Sequence, residues 1–385
     1  MESQKIISFI RETFKQKEGF IPLHVPYFRG NEKKYVLDTI DSTFVSSVGA
    51  YVTRFEEMMK NITGAKYAIA TVNGTTALHL ALILAGVKNG TEVITQPLTF
   101  VATANAIVHA GGMPVFVDVD IDTLGLSPTA LRQFLLEHTE RDENGKCINK
   151  TSKRRIAACV PMHTFGFPAK IAEIAEICNE YGIPLVEDAA ESLGSYTNGR
   201  HTGTFGLLGT FSFNGNKTVT CGGGGVIVTN DDSIGHKAKH ISTTAKVQHS
   251  WEFYHDDIGY NYRLPNLNAA LACAQLEELN HILTNKKELA ALYKGFFRDS
   301  AIKFVDEPQA TSANFWLNTI VFPDHESQQD FLRESNGHQV MTRPIWKLMS
   351  SLPMYQYCEK DSLTNSKWLE ERVVNIPSSV RPKSK

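Results

Sequence analysis

From residue 67 to residue 229, short apolar runs alternate with helix-patterned stretches, and this rhythm constrains the fold more than any other feature of the chain. The runs at 67–72 (YAIATV), 92–95 (EVIT), 113–119 (MPVFVDV), 155–162 (RIAACVPM) and 183–187 (IPLVE) read as buried strands, as do 210–213 and 225–229. Between them, 75–85, 101–110, 128–136 and 169–181 carry apolar residues at helical spacing. Alternation of this kind predicts an α/β domain with a large, mostly parallel sheet and helices on both faces. The tail changes character. Helical patterns at 265–283 and 286–297 precede a strand-like 315–322, a helix at 327–334 and irregular proline-containing segments, which together predict a smaller α+β domain. The expected organisation is a large domain over 1–250 and a small one over 251–385, with the N-terminal segment able to pack on the small domain. The charged stretch 140–155 (ERDENGKCINKTSKRR) lacks an apolar pattern and reads as a solvated insertion.

Composition narrows the function classes. The chain has 385 residues, 42% hydrophobic and 21% charged, with 39 basic and 41 acidic side chains. These values exclude collagen-like and disordered classes. A formal charge of -2 argues against a general nucleic-acid binder, which carries a basic surplus. It leaves room for a small anion, because a few backbone amides suffice to hold one. The start, MESQKIISFIRETF, lacks the basic segment and unbroken apolar core of a secretory signal. The apolar run 77–87 is shorter than the roughly 18 residues that cross a bilayer. Six cysteines (147, 159, 178, 221, 273 and 358) show neither CxxC pairs nor a zinc spacing, so free thiols, a cytoplasmic setting and no metal are expected.

In an open α/β sheet, ligands bind at the carboxyl ends of strands, often at a helix start. Three segments fall at such places. Asn73-Gly74-Thr75-Thr76 joins the first strand to its helix, offering amides and two hydroxyls to an anion; a plain helix cap would use the same residues. Glu187-Asp188-Ala189-Ala190-Glu191 brings carboxylates to a strand end followed by small residues. Asp188 there suits a metal, a ribose, a cationic ring nitrogen, or simply a turn cap. Ser212-Phe213-Asn214-Gly215-Asn216-Lys217 leads into four glycines, 222–225. A lysine held deep at such a turn becomes an amine nucleophile, whereas most lysines are merely surface residues. Taken together, the three match what pyridoxal 5'-phosphate requires: an anion site for its phosphate, a carboxylate for its ring nitrogen and a lysine for its aldehyde.

These segments resemble the DegT/DnrJ/EryC1/StrS family of sugar aminotransferases, of the aspartate aminotransferase-like fold type I. The likeness runs from about residue 21 to 379. It includes Phe55-Glu56, Asn73 to Leu78, Thr99 to Thr103, Glu187 to Ala190, Ser212-Phe213 before Lys217, and Gly259-Tyr260-Asn261-Tyr262-Arg263-Leu264. The resemblance implies a role for each position. Lys217 matches the lysine that bonds the cofactor, and Asp188 the partner of its ring nitrogen. Phe100 stands where a ring stacks on the cofactor face. Gly74, Thr75 and Ser212 match the phosphate site, with Thr76 beside them. Glu191 lies near the phenolic oxygen, where relatives often carry Gln or His. Asn261 matches an asparagine that reaches the neighbouring subunit's phosphate, implying a homodimer with shared sites. Lysine at 217, where sugar-dehydrating relatives have histidine, favours transamination.

The tail is similar to the branch that makes legionaminic-acid and bacillosamine-type sugars, through Thr342 to Met349, Leu352 to Tyr355 and Asn375 to Ser379. That likeness implies transfer of an amino group from L-glutamate to C4 of a nucleotide-linked 4-keto-6-deoxy, 2-acetamido hexose, in amino-sugar biosynthesis for surface polysaccharides. Arg343 becomes a candidate for a diphosphate contact, and Trp346 and Tyr355 for packing on sugar or base. All three also suit a domain interface. Amination at another sugar position, or a cofactor-binding regulator without turnover, stays open. A dinucleotide-binding dehydrogenase would want GxGxxG after the first strand, which is absent.

Overall fold

The computed structural model describes residues 2–381. Seven strands form the large sheet: β1 (Tyr67–Thr71), β2 (Thr91–Thr95), β3 (Met113–Phe116), β4 (Arg155–Val160), β5 (Val186–Asp188), β6 (Leu208–Ser212) and β7 (Gly225–Thr229). Their order is β1-β7-β6-β5-β4-β2-β3, with β4 and β5 meeting through the parallel bridges Cys159–Leu185 and Met162–Asp188. Strand β7 runs antiparallel to both of its neighbours, and the other pairs are parallel. The loop 213–224 reverses the chain between β6 and β7, so it returns across the carboxyl edge of the sheet.

Both faces are covered, as period-two side chains on a buried strand require. Val226 and Val228 of β7 pack with Phe55, Met59 and Phe213 beneath the helices Ala50–Thr63 and Asn266–Glu277. Ile227 points the other way, into Leu78, Leu82, Ile107 and Ile241 beneath Gly74–Leu84, Val101–His109 and Asp232–Ser242. Each large apolar side chain so buried contributes roughly 1.5–3 kcal/mol. The helix Asn266–Glu277 therefore packs with the large sheet, although it lies beyond residue 250. Farther along, an antiparallel sheet of Lys303–Phe304, Asn318–Val321, Val373–Ile376 and Arg343–Pro344 packs on Leu279–Phe297 and His325–Gly337. The N-terminal helix Glu2–Thr13 joins that core through Ile6, Ile7 and Ile10 against Tyr293, Ile320 and Phe331.

Three local expectations are refined or corrected. The stretch 140–155 is mostly exposed, as expected of a solvated insertion, but it is ordered: Thr139–Arg141 and Cys147–Asn149 form a hairpin that extends the sheet beyond β4, with Cys147 and Asn149 buried. The break between the two tail helices falls at Glu278 rather than near 284, so Leu279–Phe297 is one helix. The strand expected at 315–322 begins at Asn318, because Phe315 sits at φ 48°, outside the extended region. Among the described residues, no helix is long and apolar enough to cross a membrane. All six cysteines are unpaired and buried.

Candidate active site

A cavity of about 410 Å³ opens at the carboxyl edge of the large sheet. It gathers the segments that follow β1, β2, β4, β5 and β6, and among its walls are Gly74, Thr75, Phe100, Asp188, Glu191, Ser212, Lys217 and Trp346. Residues as far apart as Asn73 and Lys217 meet here because parallel strands all deliver their ends to one side.

At one end, the helix Gly74–Leu84 begins against the turn after β6. Asn73 caps it, its Oδ1 accepting from the Thr76 amide at 2.8 Å. Gly74 is needed for a close approach: a Cβ there would stand 2.8 Å from Cβ of Ser212. A helix start, the Thr75 side and the Ser212 side thus form one small cradle suited to a phosphate. Thr76 is not part of it. Its amide and hydroxyl are both spent on Asn73, so the capping reading holds for that residue.

Opposite the cradle, Asp188 ends β5 and is 5% exposed. Thr103 Oγ1 donates to its Oδ2 at 2.7 Å and the Ala190 amide to its Oδ1 at 3.2 Å, which fixes the carboxylate's direction. Its neighbour Glu187 turns away into the protein and accepts from the amides of Gly203, Phe205 and Gly206 and pairs with His163. Lys217 comes over on the 213–224 loop. Its Nζ donates to Glu191 Oε1 at 3.0 Å and stands 4.1 Å from the centroid of the Trp316 ring. Burial pushes the Glu191 carboxyl up to about 7, against the pull of Lys217 and of the Phe165 amide, which donates to Oε2.

Several residues that hold this geometry carry no sequence signal. Trp316 lies under the lysine, and its indole N–H donates to the Asn216 carbonyl at 2.7 Å. The turn that presents it is held by Asn314, whose Nδ2 donates to the carbonyls of Glu191 and Leu193 and whose Oδ1 accepts from the Trp316 amide. Gly166 (φ 95°) makes room for that amide, since a Cβ there would fall 1.8 Å from Asn314 Oδ1. Behind the turn, the fully buried Lys286 donates to the carbonyls of Trp316 and Ser378, and burial lowers its pKa to about 7.

The remaining candidates are dispersed. Trp346 lines this cavity and a second one, its ring 4.8 Å from that of Phe165. Arg343 lines only the second of these two, with Nη1 on Asn336 Oδ1 and the Thr342 carbonyl. Tyr355 does not reach either. It is 3% exposed, packs on Phe116, and its hydroxyl donates to Asn105, so it is a core residue rather than a surface for sugar or base. Asn261 is exposed and lies outside its own chain's cavity, on the return strand of an outlying hairpin, with Arg263 Nε donating to its Oδ1.

The model of the DegT/DnrJ/EryC1/StrS aminotransferase family matches residues 26–384. The chain belongs to this family. EpsN of Bacillus subtilis (strain 168) is 36% identical over 363 residues, covering 93% of this chain and 90% of EpsN. The GDP-perosamine synthase of Vibrio cholerae is 36% identical over 361 residues, covering 93% of this chain and 94% of that enzyme. Among solved structures, the aminotransferase TlmJ from Streptoalloteichus hindustanus superposes with a TM-score of 0.84 at 24% identity, covering 94% of each chain. The fold is therefore fold type I of the pyridoxal phosphate enzymes, as the strand rhythm and motifs lead one to expect. As a member of the DegT/DnrJ/EryC1/StrS family, the chain is a sugar aminotransferase with pyridoxal 5'-phosphate as its cofactor. The cavity fits that group: the Gly74–Ser212 cradle, the buried Asp188 and the Lys217 amine border one space of suitable size.

Proposed function

We propose that this aminotransferase moves the amino group of L-glutamate to C4 of a nucleotide-linked 4-keto-6-deoxy hexose carrying a 2-acetamido group, as a cytoplasmic homodimer. The observation that carries the reading is the convergence of Lys217, Asp188, Gly74, Thr75 and Ser212 on one cavity. The nucleotide-sugar class is supported by relatives named GDP-perosamine synthase, and the position and substituent by the tail segments around Arg343 and Trp346.

When bound, pyridoxal phosphate supplies an electron-accepting ring that stabilises negative charge at the carbon losing its proton. The chain's residues do the rest. Asp188, its carboxylate fixed by Thr103 and Ala190, would hold a proton on the ring nitrogen. Gly74, Thr75 and Ser212 would anchor the phosphate, and Phe100, on the same cavity wall, would cover the ring. The Lys217 Nζ would act as the general base, taking the proton from the donor's α-carbon and holding it as an ammonium for redelivery within hydrogen-bond reach. Trp316 and Glu191 hold that amine on the cavity side. With the keto-sugar, the same Nζ would work in the reverse sense, giving a proton to the sugar carbon that gains nitrogen.

The test is incubation of the purified protein with pyridoxal phosphate, glutamate and a panel of nucleotide 4-keto-sugars, with product masses as the readout. We expect one amino-sugar product and equimolar 2-oxoglutarate. Lys217→Ala is expected to lose turnover by at least about a thousandfold, together with the yellow colour of lysine-bound cofactor. A Lys217→Ala protein with full activity sinks the assignment.

A further inference from the structure

Fully buried lysines are rare, and one without a carboxylate partner needs a reason. Lys286 projects from the helix Leu279–Phe297 with none of its surface exposed. Among the described residues its hydrogen-bond partners are carbonyl oxygens: Ser378 at 2.8 Å, Trp316 at 3.0 Å and, more weakly, Phe315 at 3.5 Å. A methionine or leucine would fill the same space without taking an amine out of water. What the amine adds is the pair of short bonds, which an ammonium and a neutral amine can both donate.

The two carbonyls lie just outside the ladder that pairs Asn318–Val321 with Val373–Ile376, so the sheet does not satisfy them. Their footings differ. Ser378 is fixed: its amide donates to the Leu23 carbonyl at 2.7 Å, and its Oγ accepts from the Asn318 amide at 2.7 Å. The Tyr293 hydroxyl, farther along the same helix as Lys286, donates to the adjoining Pro377 carbonyl at 2.9 Å. Trp316, by contrast, follows a strained residue. Phe315 sits at φ 48°, a left-handed conformation that bulky side chains rarely adopt. Such a conformation persists where its surroundings hold it in place. Lys286 bridges the fixed carbonyl to the strained turn.

What that turn presents bears on the chemistry. The centroid of the Trp316 ring lies 4.1 Å from Lys217 Nζ. The amine's other neighbour, Glu191, is set by a second phenylalanine with positive φ. Phe165 (φ 56°) donates its amide to Glu191 Oε2 at 2.9 Å, and its carbonyl accepts from the Leu317 amide at 3.3 Å. The turn 314–317 is thus tied to both side chains that hold the Lys217 amine. We propose that Lys286 is a positioning residue for the transamination, keeping the Trp316 ring against the Lys217 amine through the Trp316 carbonyl. The proposal rests on the role given to Lys217 above and deepens it.

A double-mutant cycle separates positioning from plain structural support. For Lys286→Met, the rate at which glutamate bleaches the lysine-bound cofactor is expected to fall about tenfold, while the half-saturating glutamate concentration stays within about twofold. Trp316→Leu alone is expected to cost a similar factor. Added to Trp316→Leu, Lys286→Met should cost no more than about twofold further, because the ring it positions is gone. A readout without turnover is the rate at which added pyridoxal phosphate bonds Lys217 in the cofactor-free protein, followed by absorption; the same pattern is expected there. Where Lys286→Met fails to fold, Lys286→Gln, which keeps two N–H bonds on a shorter stem, replaces it in the cycle. Losses that multiply in the double variant, a loss that lies in glutamate saturation alone, or a Trp316→Leu protein with unaltered rates each overturns the proposal. Absence of bleaching by glutamate in the wild type sinks the donor reading instead, and the bonding rate still decides Lys286.

Discussion

Glu191 is a carboxylate with 1% of its side chain exposed, 3.0 Å from a lysine amine, in a cavity that also holds Asp188. Its raised pKa has a measurable consequence. The folded state holds the proton up to about 7, whereas the unfolded chain releases it near 4.5. Its stabilising contribution is therefore complete below 4.5 and is lost as pH rises to about 7. Glutamine mimics the protonated acid, so cofactor-free Glu191→Gln should gain on the wild type across that window and hold the gain above it. The gain is about 1.4 kcal/mol for each pH unit by which the carboxyl is raised. Urea titrations at several pH values check this, and a pH-independent difference would contradict it. At this scale the sequence is legible where a motif fixes the chemistry. Lys217, Asp188, Gly74 and Ser212 stand in order at strand ends. Trp316 is illegible, because what matters about it is a contact made about 100 residues away, with the lysine. Tyr355 and Thr76 mislead for the opposite reason: polar tips in a plausible motif are satisfied by Asn105 and Asn73.

Elements show the same division. The strand-to-helix rhythm of 67–229 is readable because buried parallel strands are almost wholly apolar. The hairpin from Thr139 to Asn149 is hidden because its strands are three residues long and polar outward; its anchor is Asn149, donating to the buried Glu92 of β2 at 2.9 Å. The helix Thr364–Glu370 is hidden more deeply. Leu363 offers it no capping side chain, and the cap arrives from Asp118, just past β3. Asp118 accepts from the Asn365 and Ser366 amides, both at 2.8 Å, and from the Ser366 hydroxyl, while Asp361 accepts from the Asp118 amide at 2.9 Å. One carboxylate thus caps a helix and ties the tail to the large sheet. Asp118→Ala strands those donors, and a loss of about 2–4 kcal/mol is expected in urea unfolding. Asp118→Asn, which keeps an acceptor, should lose less than half as much; equal losses would mean the cap contributes little.

For the whole molecule, the formal charge of -2 argues against a general polyanion binder and not against a phosphate-bearing ligand, because the Gly74–Ser212 cradle acts locally. The surface says more than the charge. The outlying hairpin around 246–255 exposes Trp251 at 77% and Phe253 at 83%, with Ile258 at 83% beyond it, and Phe44 and Val48 are open elsewhere. Apolar side chains so exposed and so concentrated mark an interface. Asn261 sits at the root of this hairpin, away from its own cavity, and the proposed homodimer would bring it to a partner's cavity. We therefore expect a homodimer in sedimentation equilibrium. Trp251→Ser with Phe253→Ser should shift it toward monomer and weaken cofactor retention together, because dissociation removes a contributor to each site. Asn261→Ala should weaken cofactor retention by about tenfold and leave the dimer intact. A wild type that sediments as a fully active monomer, or an Asn261→Ala dimer with unaltered cofactor affinity, would break the link between assembly and site.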